Sequence, residues 1–167
     1  MDNSKTSQTR SEELVTLLQE ERRLTHRLLE LLRSEHRTLS GDDIDALAPL
    51  VEAKHCLIAD MEALENRRIG LLRDASYPAT ETGMLDYLAR HQPSAKQDVQ
   101  RCWREVLTLA EDCRQQNLIN GSIMQARYRH SVNALSLLRG KPAEESGRYG
   151  PEGTTGSPAG SGILARA

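Results

Sequence analysis

One run of the sequence excludes most folds. Between Ser94 and Arg139 there is no Pro and a single Gly, and Val99, Trp103, Val106, Ala110, Cys113, Asn117, Asn120, Met124, Arg127, Ser131, Ala134 and Leu138 recur in unbroken 4-3 spacing. Residues three and four apart share one side of an α-helix, so the run reads as a heptad seam through one long helix. The first half of this seam is apolar and the second half is interrupted by polar residues. Gly in a helix interior costs about 1 kcal/mol relative to Ala, and Asn competes for backbone hydrogen bonds. The cluster Asn117, Asn120 and Gly121 therefore needs an explanation beyond helix formation.

Two earlier segments carry the same signature. From Glu12 to about Leu39, Leu14, Leu17, Leu24, Leu28 and Leu31 follow helical spacing, with Leu18 and Leu32 widening the stripe. Ser11 before Glu12 and Glu13 suits the start of this first helix, and Ser40-Gly41 suits its end. A second helix is expected from Asp42 or Asp43, burying Ile44, Leu47, Val51, Ile58, Met61, Leu64 and Leu71 or Leu72, with a kink or restart at Pro49. Between Ser76 and Pro93 only Met84-Leu85 with Tyr87-Leu88 looks helical. The fold class is all-α: an elongated antiparallel bundle of three long helices plus one short helix. Residues 1–10 are expected to be a flexible N-terminus and 11–140 the bundle. Residues 141–167, which hold six of the eleven Gly and three of the six Pro, read as a disordered tail.

Composition narrows the function. A formal net charge of −2 with mixed signs leaves no basic stripe for a phosphate backbone, so nucleic acid is not an expected partner. No stretch has the roughly 20 apolar residues of a membrane span, and the first ten residues lack a signal-peptide core, so a cytoplasmic protein is expected. Cys56, Cys102 and Cys113 are odd in number and lack CxxC spacing, which argues against a disulfide framework.

No pattern supports catalysis, a metal or a cofactor. Glu52 and His55 have the spacing of one half of a helical di-iron site, but no second Glu-x-x-His follows. Cys102 and Cys113 share a helix face but lie about 16 Å apart along the axis, too far to hold one ion. The chain is not expected to be an enzyme. Polar seam residues can instead fix register or partner choice, and a small residue such as Gly121 permits close approach of another helix. A hydrated kink is the competing reading of the same cluster. In the tail, Tyr149 stands alone in Arg148-Tyr149-Gly150-Pro151-Glu152-Gly153, and a lone aromatic there can serve as a recognition handle.

The order of Asn117-Leu-Ile-Asn120-Gly121, then Asn133-Ala-Leu135-Ser-Leu137-Leu138, then a Gly/Pro break and Tyr149-Gly150-Pro151-Glu152-Gly153-Thr154 resembles the C-terminal half of FlgN-type flagellar export chaperones. Trp103 fits the same pattern. At residue level the resemblance covers about 100 to 154; Pro151 and the extension after Thr155 depart from it. It implies a cytosolic, non-enzymatic chaperone that binds the C-terminal helical segments of the two hook–filament junction proteins, prevents their premature assembly and delivers them to the flagellar type III export gate.

Carried over residue by residue, the resemblance makes Asn117, Asn120, Gly121, Ile123, Met124, Tyr128, Leu135 and Leu138 the client surface. Tyr149 and Gly150 become the contact with the cytoplasmic domain of the gate. The alternative is a structural coiled-coil protein that homodimerises through its Leu stripes, and a client-free homodimer is left open under either reading.

Overall fold

The computed structural model describes residues 2–41 and 45–140, with side chains from residue 8 onward. Among these residues the protein is all-α: α1 (Asp2–Ser40), α2 (Leu47–Asp74), α3 (Glu81–His91), one 3-10 turn (Pro93–Ala95) and α4 (Lys96–Leu138). The chain divides into two compact units, residues 1–129 and 130–167.

α1 starts at Asp2, not at Ser11, and runs through the segment expected to be a flexible N-terminus. Ser11 is fully buried within the helix, so it does not cap it. The C-terminus falls at Ser40 as expected, where the Gly41 N–H donates to the Arg37 and Thr38 carbonyls at 3.1 and 3.2 Å. α2 starts at Leu47, which puts Pro49 in the first turn, where its missing N–H would have had no intrahelical partner. Ile44, expected in this helix, lies outside the described residues.

α2 ends in a tight turn in which the Tyr77 N–H donates to the Leu72 carbonyl at 2.9 Å and Ser76 takes φ 62°, a left-handed conformation usually given to Gly. Thr80 then caps α3 by accepting from the Gly83 N–H at 3.2 Å. A Cβ at Gly83 would lie 2.1 Å from the Pro78 carbonyl oxygen, so this turn requires Gly.

The first unit is an up-down-up arrangement. Ion pairs Glu21–Arg68 and Glu35–Lys54 run in opposite order along α1 and α2, making them antiparallel. Hydrogen bonds from Cys102 to Leu18 and from Asn120 to Leu32 run in the same order, making α4 parallel to α1.

α1 is the central element. Ser11, Leu14, Leu18, Glu21, Thr25, Leu32, Glu35 and Leu39 are all buried, and with partly buried Leu28 they form a 3-4 seam. The apolar cores sit on this seam. One joins Leu14 and Leu18 to Leu72, Met84, Tyr87, Leu88, Val99 and Cys102 beneath α3; the other joins Leu29 and Leu32 to Cys113. On α2 the buried residues are Leu57, Arg68 and Leu72, whereas Ile58, expected in the core, is 38% exposed.

Candidate binding surface

Two buried charged groups separate the apolar layers. At the first, the Arg68 Nε donates to Glu21 Oε1 at 2.8 Å, both side chains are more than nine-tenths buried, and the Arg68 guanidinium lies 4.9 Å from the centre of the Trp103 ring. Burial pushes the Glu21 carboxyl above its ordinary range, against the opposing hydrogen bond from Arg68. At the second, Glu35 of α1 accepts from Lys54 of α2 at 2.7 Å and from the Asn120 amide of α4 at 2.8 Å. Each group ties all three long helices to one level of the bundle.

Asn120 explains part of the polar cluster in the sequence. It is 3% exposed, its amide also donates to the Leu32 carbonyl at 2.8 Å, and its own oxygen accepts from Gln116 at 3.0 Å. A buried amide without partners would cost about 1–3 kcal/mol; this one is satisfied within the chain. The expectation of Asn120 at a client surface therefore meets a residue already committed to α1.

The same face of α4 carries further donors. Cys102 Sγ lies 3.5 Å from the Leu18 carbonyl, Cys113 Sγ 3.5 Å from the Thr25 carbonyl, and Arg127 donates to the Gly41 carbonyl. Burial raises the Cys102 thiol above its ordinary range and pushes that of Cys113 up to about 11, so both stay protonated and act as weak donors.

The face of α4 turned to α1 thus follows Val99, Cys102, Val106, Leu109, Cys113, Gln116, Asn120, Ile123 and Arg127, all buried or half-buried. It shares every seventh residue with the seam read from the sequence. The intervening positions differ by one residue: Cys102, Leu109, Gln116 and Ile123 replace Trp103, Ala110, Asn117 and Met124.

This shift leaves the remaining predicted residues on other faces. Asn117, Gly121, Met124 and Tyr128 are exposed, and at 100° per residue they fall within about 60° of one another around the helix. Gly121 has nothing within 4 Å of where a Cβ would stand, so among the described residues no neighbouring helix approaches it. Ile123 is half-buried. Leu118, Ile119, Met124 and Tyr128 in the first unit are large exposed hydrophobics, with Tyr128 at 70%. In the second unit Val132, Leu135, Leu137 and Leu138 are likewise exposed, Leu138 at 84%. Tyr149 and Gly150 lie outside the described residues.

The sequence reading missed Glu21, Glu35, Lys54 and Arg68 as parts of the core. Their signal was positional: Glu21 and Glu35 fall in register with Leu14, Leu18, Leu28 and Leu32. Glu52 and His55, the half-motif for a di-iron site, are both exposed. No described helix is long and apolar enough to cross a membrane.

Comparison with known proteins gives one consistent family. Two curated relatives, each called flagella synthesis protein FlgN and both from Yersinia enterocolitica, one of them serotype O:8 / biotype 1B, are 25% identical over 144 residues, covering 85% of this chain and 88% of theirs. No solved structure matches. The sequence pattern that defines the family described as FlgN protein matches residues 1–157, nearly the whole chain, and the protein belongs to the FlgN family.

Proposed function

We propose that this protein is a cytoplasmic export chaperone that binds the C-terminal helical segments of hook–filament junction proteins, keeps them from assembling early and delivers them to the flagellar export gate. The observation that carries this reading is the division of α4 into a face hydrogen-bonded to α1 and exposed apolar residues outside that face. Exposed, clustered apolar residues on a soluble chain mark interaction surfaces, and helices bind such surfaces through anchors at i, i+3, i+4 and i+7. Asn117, Gly121, Met124 and Tyr128 in the first unit, with Leu135 and Leu138 in the second, are the proposed client contacts. Ile123 contributes from the edge of the α1-facing side. Asn120 serves indirectly, by holding α4 to α1. Tyr149 and Gly150 are the proposed gate contact, and joining the two attachments through one chain raises effective concentration at the gate.

The Leu stripe of α1 is buried within the bundle, so homodimerisation through it would require the bundle to open. This observation weighs against the coiled-coil alternative.

Calorimetry with the C-terminal segments of both junction proteins tests the reading, using the full chain and a version ending at Gly140. Binding at about micromolar Kd, near −8 kcal/mol, by both versions is expected. Absence of a complex with either segment would overturn it. Gly121→Leu places bulk in open space, so the fold should persist while client affinity falls; normal binding by that variant would move the client surface elsewhere.

A further inference from the structure

The structure contains an apolar groove that the client surface just described does not use. It opens between α2 and α4 within the first unit and has a volume of ≈ 370 Å³. Leu28 of α1 lies at its floor, Ile58 and Met61 line it from α2, and Trp103, Val106 and Ala110 line it from α4.

Three observations define what would fill it. The groove runs from the level of Ile58 and Ala110 to that of Arg68 and Trp103, which at 1.5 Å per residue is about two to three helical turns. With α1 as its floor and two antiparallel helices as its walls, it has the form of a four-helix bundle lacking one member. Its apolar lining is flanked by Glu21, Thr25, Glu62, Glu65 and Arg68, and the Trp103 indole N–H finds no acceptor among the described residues.

Charge sets the third requirement. Arg68 is already matched by Glu21 at 2.8 Å. On the α2 side, exposed Glu65 is left 3.9 Å from that same guanidinium, and Glu62 makes none of the ion pairs among the described residues. With one Arg68 shared between Glu21 and Glu65, and Glu62 beside them, the α2 side carries an excess of negative charge, whereas the α4 wall is apolar.

We propose that the α2–α4 groove is a second cargo site, accepting two to three turns of an amphipathic helix whose aliphatic stripe packs on Ile58, Met61, Trp103 and Val106. The flank of that helix facing α2 carries Lys or Arg opposite Glu62 and Glu65. The source of the helix rests on the export-chaperone reading; its chemistry rests on the groove alone. Opposite charges at a rim guide orientation and encounter while the apolar stripe supplies the affinity.

Trp103 is the sole tryptophan, so it reports directly on the groove. The full chain is titrated with the C-terminal helical segments of the junction proteins, following heat, Trp103 emission and acrylamide quenching together. The expected result is a complex in which emission shifts to the blue and quenching falls. Glu62→Lys with Glu65→Lys, both at exposed positions, should weaken that complex roughly tenfold and leave the far-ultraviolet spectrum unchanged. Replacing the segment's basic flank by Glu should restore binding to the double variant. A complex that forms without any change at Trp103, or that is indifferent to the charge reversal, overturns the groove proposal and leaves the chaperone reading intact. No complex with any segment overturns both.

Discussion

α4 contains two stretches of similar apolar content and opposite fate. From Val99 to Cys113 its large residues, Leu107 excepted, are buried or half-buried, against α1 and, at the N-terminal end, in the apolar cluster beneath α3; from Leu118 onward most of its large residues are exposed. The difference does not lie in hydrophobicity, because Leu135, Leu137 and Leu138 are as apolar as anything in the core. It lies in what stands opposite. Where α1 supplies Leu14, Leu18, Leu29 and Leu32, the residues of α4 are covered; where α1 offers Glu35 and the Gly41 carbonyl, α4 answers with Asn120 and Arg127. An apolar residue in a sequence marks a surface that can be buried, and the partner decides whether it is.

That contrast can be broken most severely through the residues of α1 and α2 that cover the first stretch. Leu18→Ala, at a fully buried site between α1 and the core beneath α3, should cost about 3–5 kcal/mol in denaturant unfolding, the range for a core cavity that cannot collapse. Arg68→Met should cost a similar amount, about 3–5 kcal/mol, because it strands the buried Glu21 carboxylate.

The same variant sharpens the electrostatic side. Glu21 has a folded pKa above 4.5, with burial as the larger cause and the Arg68 hydrogen bond opposing it. A raised carboxyl pKa means that the contribution of this group is greatest below 4.5 and is lost as pH rises through the folded value. A carboxyl titration by NMR should find Glu21 above the ordinary Glu value in the native chain and higher still once Arg68 is removed.

Asn120→Ala tests the junction between the two stretches. It removes three hydrogen bonds and leaves Glu35 with Lys54 alone, for an expected loss of about 1–3 kcal/mol. Ser76→Gly, outside both stretches, relieves a left-handed non-glycine residue and should raise stability by about 1 kcal/mol. Leu135→Ala closes the series. At 51% exposure it should alter stability by no more than about 0.5 kcal/mol while weakening client binding, so a Leu→Ala change that is costly at Leu18 is silent in the uncovered stretch until a client is added.

The sequence carried the helices well because Leu spacing, Gly41, Pro49 and the breaks around Pro78 and Pro93 are local signals. It carried the faces of α4 less well, for a physical reason. Adjacent pairs Cys102 and Trp103, Leu109 and Ala110, and Ile123 and Met124 are all apolar, so periodicity accepts either member, and only the position of α1 chooses. The predicted seam combined residues turned to α1 with residues turned to the α2–α4 groove. The buried charges were illegible for a different reason. Glu21 or Arg68 alone reads as surface, and each becomes a core residue only when the other, 47 positions away, arrives beside it.

The donors on α4 have one more consequence. Cys113 and Asn120 reach carbonyls one heptad apart on α1, at Thr25 and Leu32, so a sliding of α4 by seven residues would lay one repeat of the seam on the next. Such a displaced alignment would bring Cys113 to the Leu32 carbonyl and give Glu35 a weakly donating thiol in place of an amide. Two long helices with repeating stripes thereby acquire one alignment that is chemically unlike its neighbours, and the cost of choosing wrongly is concentrated in a single carboxylate.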